Sequence, residues 1–150
     1  MAFDIFLKLA GLPGDAITKG HEDEIDVQSF SWGESRDGTT ADPQEMAFVT
    51  PLSKASPVIA KHCAEGTPIA SAEISVNTGS LKLAGELLMI KLAGITVGSY
   101  QLGVADTDPA FNDRFTLAFQ SVTVTKRQGS ATGAIGGATS VDISFPPPAA

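Results

Sequence analysis

The sequence predicts an all-β domain: a small β-barrel of two packed β-sheets with one flanking α-helix. Short runs of alternating apolar and polar residues recur along the chain, Gly- and Pro-rich turn signals separate them, and a single segment has helical periodicity. Many short strands joined by turns are typical of barrels and sandwiches, and we favour the barrel. No change of composition marks a linker, so residues 1–150 are predicted to form one domain.

The strand-like runs are identified by alternation of period two. The first is Phe3–Leu9, and the second covers residues 25–33. Later runs cover residues 69–77, 87–92, 95–102, 114–125 and 140–145. The apolar parity changes near Gln28 in one run and near Gln120 in another, which predicts a bulge or bend at each place.

Residues 53–66 have the signals of an α-helix. Ser56 is expected to cap the first amides, Pro57 suits the first turn because it lacks an N–H, and Gly66 suits a left-handed stop. One stripe of this helix carries Val58, Ile59, His62 and Cys63. Two segments are predicted as loops: the polar residues 36–45 and the Gly-rich residues 128–139.

Composition excludes several classes of function. The formal net charge of −7 disfavours binding to a phosphate backbone, so no nucleic-acid partner is expected. The longest mostly apolar stretch, residues 81–97, is broken by charges and glycines, whereas a membrane-spanning helix needs about 20 apolar residues. The N-terminal residues lack the features of a signal peptide, and the single cysteine, Cys63, allows no intramolecular disulfide.

No cluster of residues predicts an active site, a metal or a cofactor. The densest ionisable group, His21 to Asp26, is interpreted as a solvated turn that leads into a strand. Residues 106–113 lack the glycine of a calcium loop, and His62 and Cys63 are adjacent on a helix, where their side chains diverge. The glycines near Gly133 do not follow a strand and open a helix. We therefore expect a protein that is not an enzyme.

A known family is similar to this chain over nearly its whole length. Residues 21–33, HEDEIDVQSFSWG, resemble the H-x-x-E-I-D-V-x-[SA]-[WF]-S-W-G signature of the haemolysin-coregulated protein (Hcp) family, the tube subunits of type VI secretion systems. Residues 54–57, KASP, resemble the start of that family's helix, and residues 113–119 resemble its E-x-[VF]-x-L-N-F strand. Ala118 stands where that strand usually has Asn.

This resemblance implies a homohexameric ring. Rings would stack into a hollow tube within a contractile sheath, with a VgrG-like spike protein at the tip and small effector proteins bound and protected in the lumen. It further implies a subunit that is cytoplasmic before assembly and is then secreted to the extracellular space or a target cell, without a signal peptide and without membrane insertion.

Two groups of residues are candidates for contacts in such a tube. Ser29 and Ser31 share one parity of their strand, so we expect them to face the lumen and cargo while Phe30 and Trp32 pack inward. The segment 36–45 is expected to reach the next ring. Its candidate contact residues are Arg36, Asp37, Asp42, Gln44 and Glu45.

Three other functions compete with this interpretation. A bacteriophage tail tube protein would share the fold and the ring, and gene neighbours would separate it from a secretion tube. A stand-alone β-sandwich binding module would be monomeric in solution. A hydrolase with an unrecognised site would lose turnover when a Ser, Asp or His is replaced.

Overall fold

The computed structural model describes residues 3–17, 21–37, 40–43, 45–78, 85–103, 112–129 and 135–144. These residues form eleven strands and one helix. In chain order they are β1 (Phe3–Leu9), β2 (Ile25–Val27), β3 (Ser29–Ser31), β4 (Glu34–Asp37), β5 (Thr40–Pro43), β6 (Met46–Pro51), α1 (Ser56–Glu65), β7 (Ile69–Thr78), β8 (Gly85–Gly103), β9 (Asn112–Ala118), β10 (Ser121–Gly129) and β11 (Ile135–Ser144).

The strands form a barrel because the two ends of one antiparallel sheet are halves of a single bent strand. Pairing follows the order β2-β1-β7-β8-β9-β6-β3, and only Gln28 separates β2 from β3. The amide of Gln28 donates to the carbonyl of Val49 over 2.8 Å, which joins the bend to β6. The predicted bend near Gln28 is therefore present, and it closes the barrel.

Two sheets make up the barrel wall. Sheet A contains β2, β1, β7, the first half of β8, β10 and β11. Sheet B contains β3, β6, β9 and the second half of β8. The prediction of an all-β barrel of two packed sheets with one helix is confirmed.

β8 runs from one sheet to the other without interruption. The sequence predicted two strands here, over residues 87–92 and 95–102, whereas the structure has one strand that bends at Gly94. Gly94 has φ of 64°, a left-handed conformation that glycine adopts without steric cost. A side chain there would also come within 2.8 Å of the side-chain oxygen of Gln120, which lies at the predicted bend between β9 and β10.

Both predicted loops contain strands. In place of a loop over residues 36–45, β4 and β5 form an antiparallel hairpin in which Glu34 pairs with Pro43 and Asp37 with Thr40. Within the described chain this hairpin pairs with itself alone. Its two strands, ESRD and TADP, show no alternation of apolar and polar residues that would have predicted them. In the Gly-rich segment, β10 continues to Gly129 and β11 begins at Ile135, because each gains a ladder partner in the other.

One strand was missing from the sequence prediction. β6 pairs with β3 on one side and β9 on the other, and Met46, Phe48 and Thr50 are its buried positions. The aromatic rings of Phe48 and Phe115 stack with their centroids 5.3 Å apart, at the centre of the core. The other large, fully buried apolar side chains are Leu7, Ile25, Met46, Ile59, Ile74, Ile95, Leu117 and Val122.

Helix α1 packs against β8 and begins at Ser56, three residues later than predicted. Ala55 occupies the N-cap position and makes no side-chain cap, so the predicted capping role of Ser56 is wrong. Pro57 lies in the first turn and Gly66 ends the helix in a left-handed conformation, as predicted. Val58 is exposed rather than part of the buried stripe. No helix in the described residues is long and apolar enough to cross a bilayer.

A buried carboxylate ties this helix to the barrel. Asp113 on β9 is completely buried and accepts hydrogen bonds from the Ser56 hydroxyl and from the Tyr100 hydroxyl, the latter over 3.0 Å. The Ser56 oxygen also accepts from the amide of Ser53 over 3.0 Å. A buried carboxylate without such donors would be strongly destabilising, so these hydrogen bonds fix where α1 meets β8 and β9.

This network predicts an unusual titration of Tyr100. Burial, and then the hydrogen bond and negative charge of Asp113, raise the pKa of Tyr100 from 10.0 to about 12. Because the pKa is higher in the folded chain, the resulting stability is complete below about pH 10 and is lost as the pH rises towards 12. Tyr100 is the only tyrosine, so tyrosinate absorbance measures it alone.

We expect a titration midpoint near 12 in the native protein and near 10 in denaturant. Asp113→Asn should lower the native midpoint, although burial of the phenol keeps it above 10. Asp142→Asn, which changes an exposed carboxylate on β11, should leave it unchanged. A native midpoint at 10 would contradict the described network.

Candidate functional site on the outward face of sheet B

The side of sheet B that points away from the core carries small and polar side chains. Strand alternation places them there, since Phe48, Phe115 and Leu117 occupy the intervening inward positions. We call this surface the sheet B face. Its side chains are Ser29, Ser31, Ala47, Val49, Ser99, Gln101, Arg114 and Thr116.

Ser29 and Ser31 lie on this face, on strand β3 of sheet B. Both are exposed, and they pair with Val49 and Ala47 of β6. Phe30 and Trp32 are partly buried and pack against the core, as the parity of the strand predicted. The inward half of the sequence prediction is therefore confirmed, and the assignment of both serines to a lumen stays a prediction.

The sheet B face contains a shallow depression of about 360 Å³. Its outward walls come from Ala47 and Val49 on β6, Arg114 and Thr116 on β9, and Ser99 and Gln101 on β8. Thr116 and Ser99 hydroxyls hydrogen-bond to each other across the strands over 2.8 Å. Phe48, Tyr100 and Phe115, whose side chains pack towards the core, form the floor of the depression between these walls.

Arg114 and Glu45 are the charged groups on or beside this depression. The Arg114 side chain is exposed and has no ion-pair partner in the part of the chain that the structure describes. Glu45 accepts a hydrogen bond from the Thr116 hydroxyl over 3.0 Å, and its carboxylate lies against Gly98. The unengaged charge at the depression is therefore the guanidinium.

The sequence reasoning did not single out Arg114, Gln101, Ser99 or Thr116. The alternation of Arg114 and Thr116 with Phe115 and Leu117 did predict outward side chains on β9. The register that sets Arg114 opposite Gln101 and Thr116 opposite Ser99 was not readable from the sequence, because it depends on pairing between distant strands.

The predicted ring-contact residues lie in two places. The backbones of Arg36, Asp37 and Asp42 belong to the β4–β5 hairpin, and Gln44 lies outside the described residues. Glu45 immediately precedes β6, and its side chain is held on sheet B by Thr116. The structure thus brings Glu45 close to the sheet B face and leaves the other described candidates on the hairpin.

The ionisable cluster at residues 21–26 has a structural role. The His21 ring stacks on Phe6, with centroids 4.2 Å apart and an interplanar angle of 7°. Its Nδ1 bonds the Glu24 carboxylate over 2.9 Å, and the Asn77 amide donates to its Nε2 over 3.4 Å. His21 is therefore a packed side chain that joins this turn to β1 and β7, whereas Glu22, Asp23 and Asp26 are exposed, as predicted for a solvated turn that leads into a strand.

Residues of the types that bind metals or act as nucleophiles are dispersed over the described structure. The described residues contain no group of three His, Cys, Asp or Glu side chains that could hold a metal ion. Cys63 packs partly against the core, and the Nδ1 of His62 bonds the carbonyl of Val58 over 2.8 Å. The acidic run at residues 106–108 lies outside the described residues.

Comparison with known proteins places this geometry in a family. The model of the family described as "Type VI secretion system effector, Hcp" matches residues 6–125. Protein hcp1 of Pseudomonas aeruginosa is 27% identical over 144 residues, which cover 89% of each chain.

Solved structures share the fold over almost the entire chain. Hcp1 from Salmonella typhimurium superposes with a TM-score of 0.86 at 24% identity, covering 97% of this chain and 96% of that one. A type VI secretion system effector from Yersinia pestis gives a TM-score of 0.81 at 20% identity, covering 95% of this chain and 100% of that one.

These likenesses agree with the barrel and its flanking helix. The family consists of structural tube proteins and secreted proteins of the type VI system, not of enzymes. The chain belongs to the Hcp family of type VI secretion system proteins.

Proposed function

We propose that this chain assembles into hexameric rings that stack into the inner tube of a type VI secretion system. The sheet B face lines the lumen of that tube, where small effector proteins bind and are protected. The observation that supports this most strongly is the unpaired edge of sheet A at β11, which exposes Val141, in a chain of the Hcp family. An unpaired strand edge of this kind can pair with a strand of a neighbouring subunit.

The edge at β11 suits side-by-side contact between subunits. Among the described strands β11 pairs with β10 alone, so one row of its backbone N–H and C=O groups lacks a ladder partner. Val141, opposite the core-packed Val124, is 53% exposed at this edge. A second subunit placed there would cover Val141, and closed rotational symmetry would limit growth to one ring.

The sheet B face suits the wall of a lumen. Its small side chains leave the centre of a ring open, whereas large apolar groups would fill it or cause aggregation. Ser29 and Ser31 offer hydroxyl groups that can donate to or accept from a cargo protein. In this orientation the helix α1 faces away from the cargo. It is joined to the barrel by the hydrogen bond between Ser56 and Asp113.

The β4–β5 hairpin suits contact between rings. It pairs with no other strand among the described residues and carries Arg36, Asp37 and Asp42, with Gln44 following it. Head-to-tail stacking is a contact that does not close, so it can extend a tube indefinitely. Glu45 would hold the base of the hairpin on sheet B through its hydrogen bond with Thr116.

The assembled tube has further partners in this proposal. A VgrG-like spike protein caps one end, a contractile sheath surrounds the rings, and contraction carries the tube and its effectors to the extracellular space or a target cell. The subunit is cytoplasmic until it assembles. The secretion machine, rather than a signal peptide, exports it.

The ring itself is tested by native mass. Light scattering on the purified protein should give a mass near 93 kDa, six times the 15.5 kDa of one chain. Electron micrographs of the same peak should show ring-shaped particles. A mass of 15.5 kDa over a wide concentration range would overturn the tube proposal and favour a monomeric binding module.

The lumen assignment is tested by replacing Ser31 with Gln. The larger side chain should narrow the cargo surface, so cargo recovered with rings from the producing cells should fall several-fold while the ring mass is unchanged. Native mass spectrometry reports both quantities. Ser71→Gln, on the outward face of sheet A, is the matched control and should keep its cargo. Equal cargo in the two variants would count against the lumen assignment.

Stacking is tested by reversing one charge on the hairpin. Arg36→Glu should shorten the stacks seen in micrographs, because each exposed ion pair contributes about 0.2–1 kcal/mol and six copies act together. Lys91→Glu makes the same charge change on the outward face of sheet A and should leave stack length unchanged. Stacks of normal length in the Arg36 variant, with intact rings, would contradict the assignment of the hairpin.

A further inference from the structure

We propose that the depression on the sheet B face is a carboxylate-binding subsite that takes an Asp or Glu side chain of a cargo protein, with Arg114 as its anchor. This inference deepens the proposed function and rests on the sheet B face lining the lumen. It names the class of partner surface that the tube selects: one that presents acidic side chains.

The position of Arg114 is fixed by its neighbours in β9. Asp113 and Phe115 on either side are 0% and 1% exposed, so strand alternation directs the Arg114 side chain outward. Pairing sets it between Val49 on β6 and Gln101 on β8. Asp113, although adjacent in sequence, points to the opposite side of the sheet and is engaged with Ser56 and Tyr100.

Arg114 is the one charged residue among the described residues that line the depression. The chain has a net charge of −7, yet none of the eight side chains of the sheet B face is acidic. The carboxylate of Glu45 lies beside the depression but outside its lining, where it accepts a hydrogen bond from Thr116 and lies against Gly98. Arg114 thus presents a guanidinium that has no ion-pair partner among the described residues, and an anion in the depression would find its complement there.

The shape and chemistry of the depression suit a carboxylate. A guanidinium presents paired N–H donors that bind both oxygens of a carboxylate at once. Gln101, paired opposite Arg114 and part of the lining, supplies a further amide donor. The volume of about 360 Å³ exceeds that of a single acidic side chain, so flanking residues of the cargo also fit.

Six-fold repetition would strengthen a weak contact. One exposed guanidinium binds a carboxylate with little affinity in water. A ring places six copies at one level of the lumen, and a cargo surface with several acidic groups engages them together at high effective concentration. Selection by charge therefore requires no deep pocket.

Nucleic acid is the other polyanion that an arginine could bind. Binding to a phosphate backbone requires several Lys and Arg side chains along a track, and the sheet B face offers Arg114 alone among its eight side chains. The negative charge of the whole chain also opposes a long polyanion. An acidic protein segment is the better match, and an oligonucleotide serves as a competing probe.

The experiment uses assembled rings and two matched peptides. Each peptide carries a neutral fluorophore; one alternates Glu with Ala and the other alternates Lys with Ala. Fluorescence anisotropy gives their affinity, and light scattering confirms ring mass for each variant. We expect the Glu peptide to bind wild-type rings more tightly than the Lys peptide, and to lose affinity as salt rises.

Variants of the site and a matched control decide the role of Arg114. Arg114→Gln should weaken binding of the Glu peptide about tenfold or more, while Arg114→Lys retains part of it. Gln101→Glu, which places a negative charge beside an intact Arg114, should weaken it similarly. Lys91→Gln removes one positive charge from the outward face of sheet A and should change the affinity less than twofold.

Four results would overturn the subsite. The first two are wild-type rings that do not bind the Glu peptide, and equal losses of affinity for this peptide in the Arg114→Gln and Lys91→Gln variants. The other two are wild-type rings that bind the Lys peptide as tightly as the Glu peptide, and Arg114-dependent binding of a single-stranded oligonucleotide that is tighter than binding of the Glu peptide. Failure of the tube proposal looks different, because light scattering would then report a monomer. A monomer whose binding of the Glu peptide depends on Arg114 would still support the carboxylate subsite.

Discussion

The barrel depends on a backbone bend that two paired strands make together. At Gly94 the chain takes a left-handed conformation, and opposite it Gln120 separates β9 from β10. Gln120 fills the space that a side chain at position 94 would need, and its amide bonds the carbonyl of Ala93. Both strands can therefore leave sheet B and enter sheet A at the same level. Closure at Gln28 and enclosure of the core follow from this change of direction.

The fold connects its helix and its outward face through consecutive residues of one strand. Asp113 points inward and fastens α1 through Ser56, while Arg114 points outward over the depression. Because alternation in a strand is strict, the packing that holds Asp113 also sets the direction of Arg114. The polar face of sheet B is thus positioned by buried hydrogen bonds and by the stacked rings of Phe48 and Phe115 beneath it.

Sequence patterns predicted those elements whose local signals agree with their tertiary environment. The alternation in β1, the parity change at Gln28 and the end of α1 at Gly66 all match the structure. The β4–β5 hairpin escaped prediction because its short strands, ESRD and TADP, lack apolar alternation. Ser56 was assigned to a cap because its acceptor, Asp113, lies 57 residues away in the sequence. The outward serines were predictable from parity, whereas the depression required the register of three strands.

The inward and outward positions of each sheet B strand are under different constraints. Inward residues such as Phe48 and Leu117 are constrained by close packing, because adding or removing a single methylene group there changes the stability of the fold. Outward residues such as Ser29 and Thr116 touch little of the core. Substitutions can therefore change the chemistry of this face one side chain at a time while the barrel that supports it is retained.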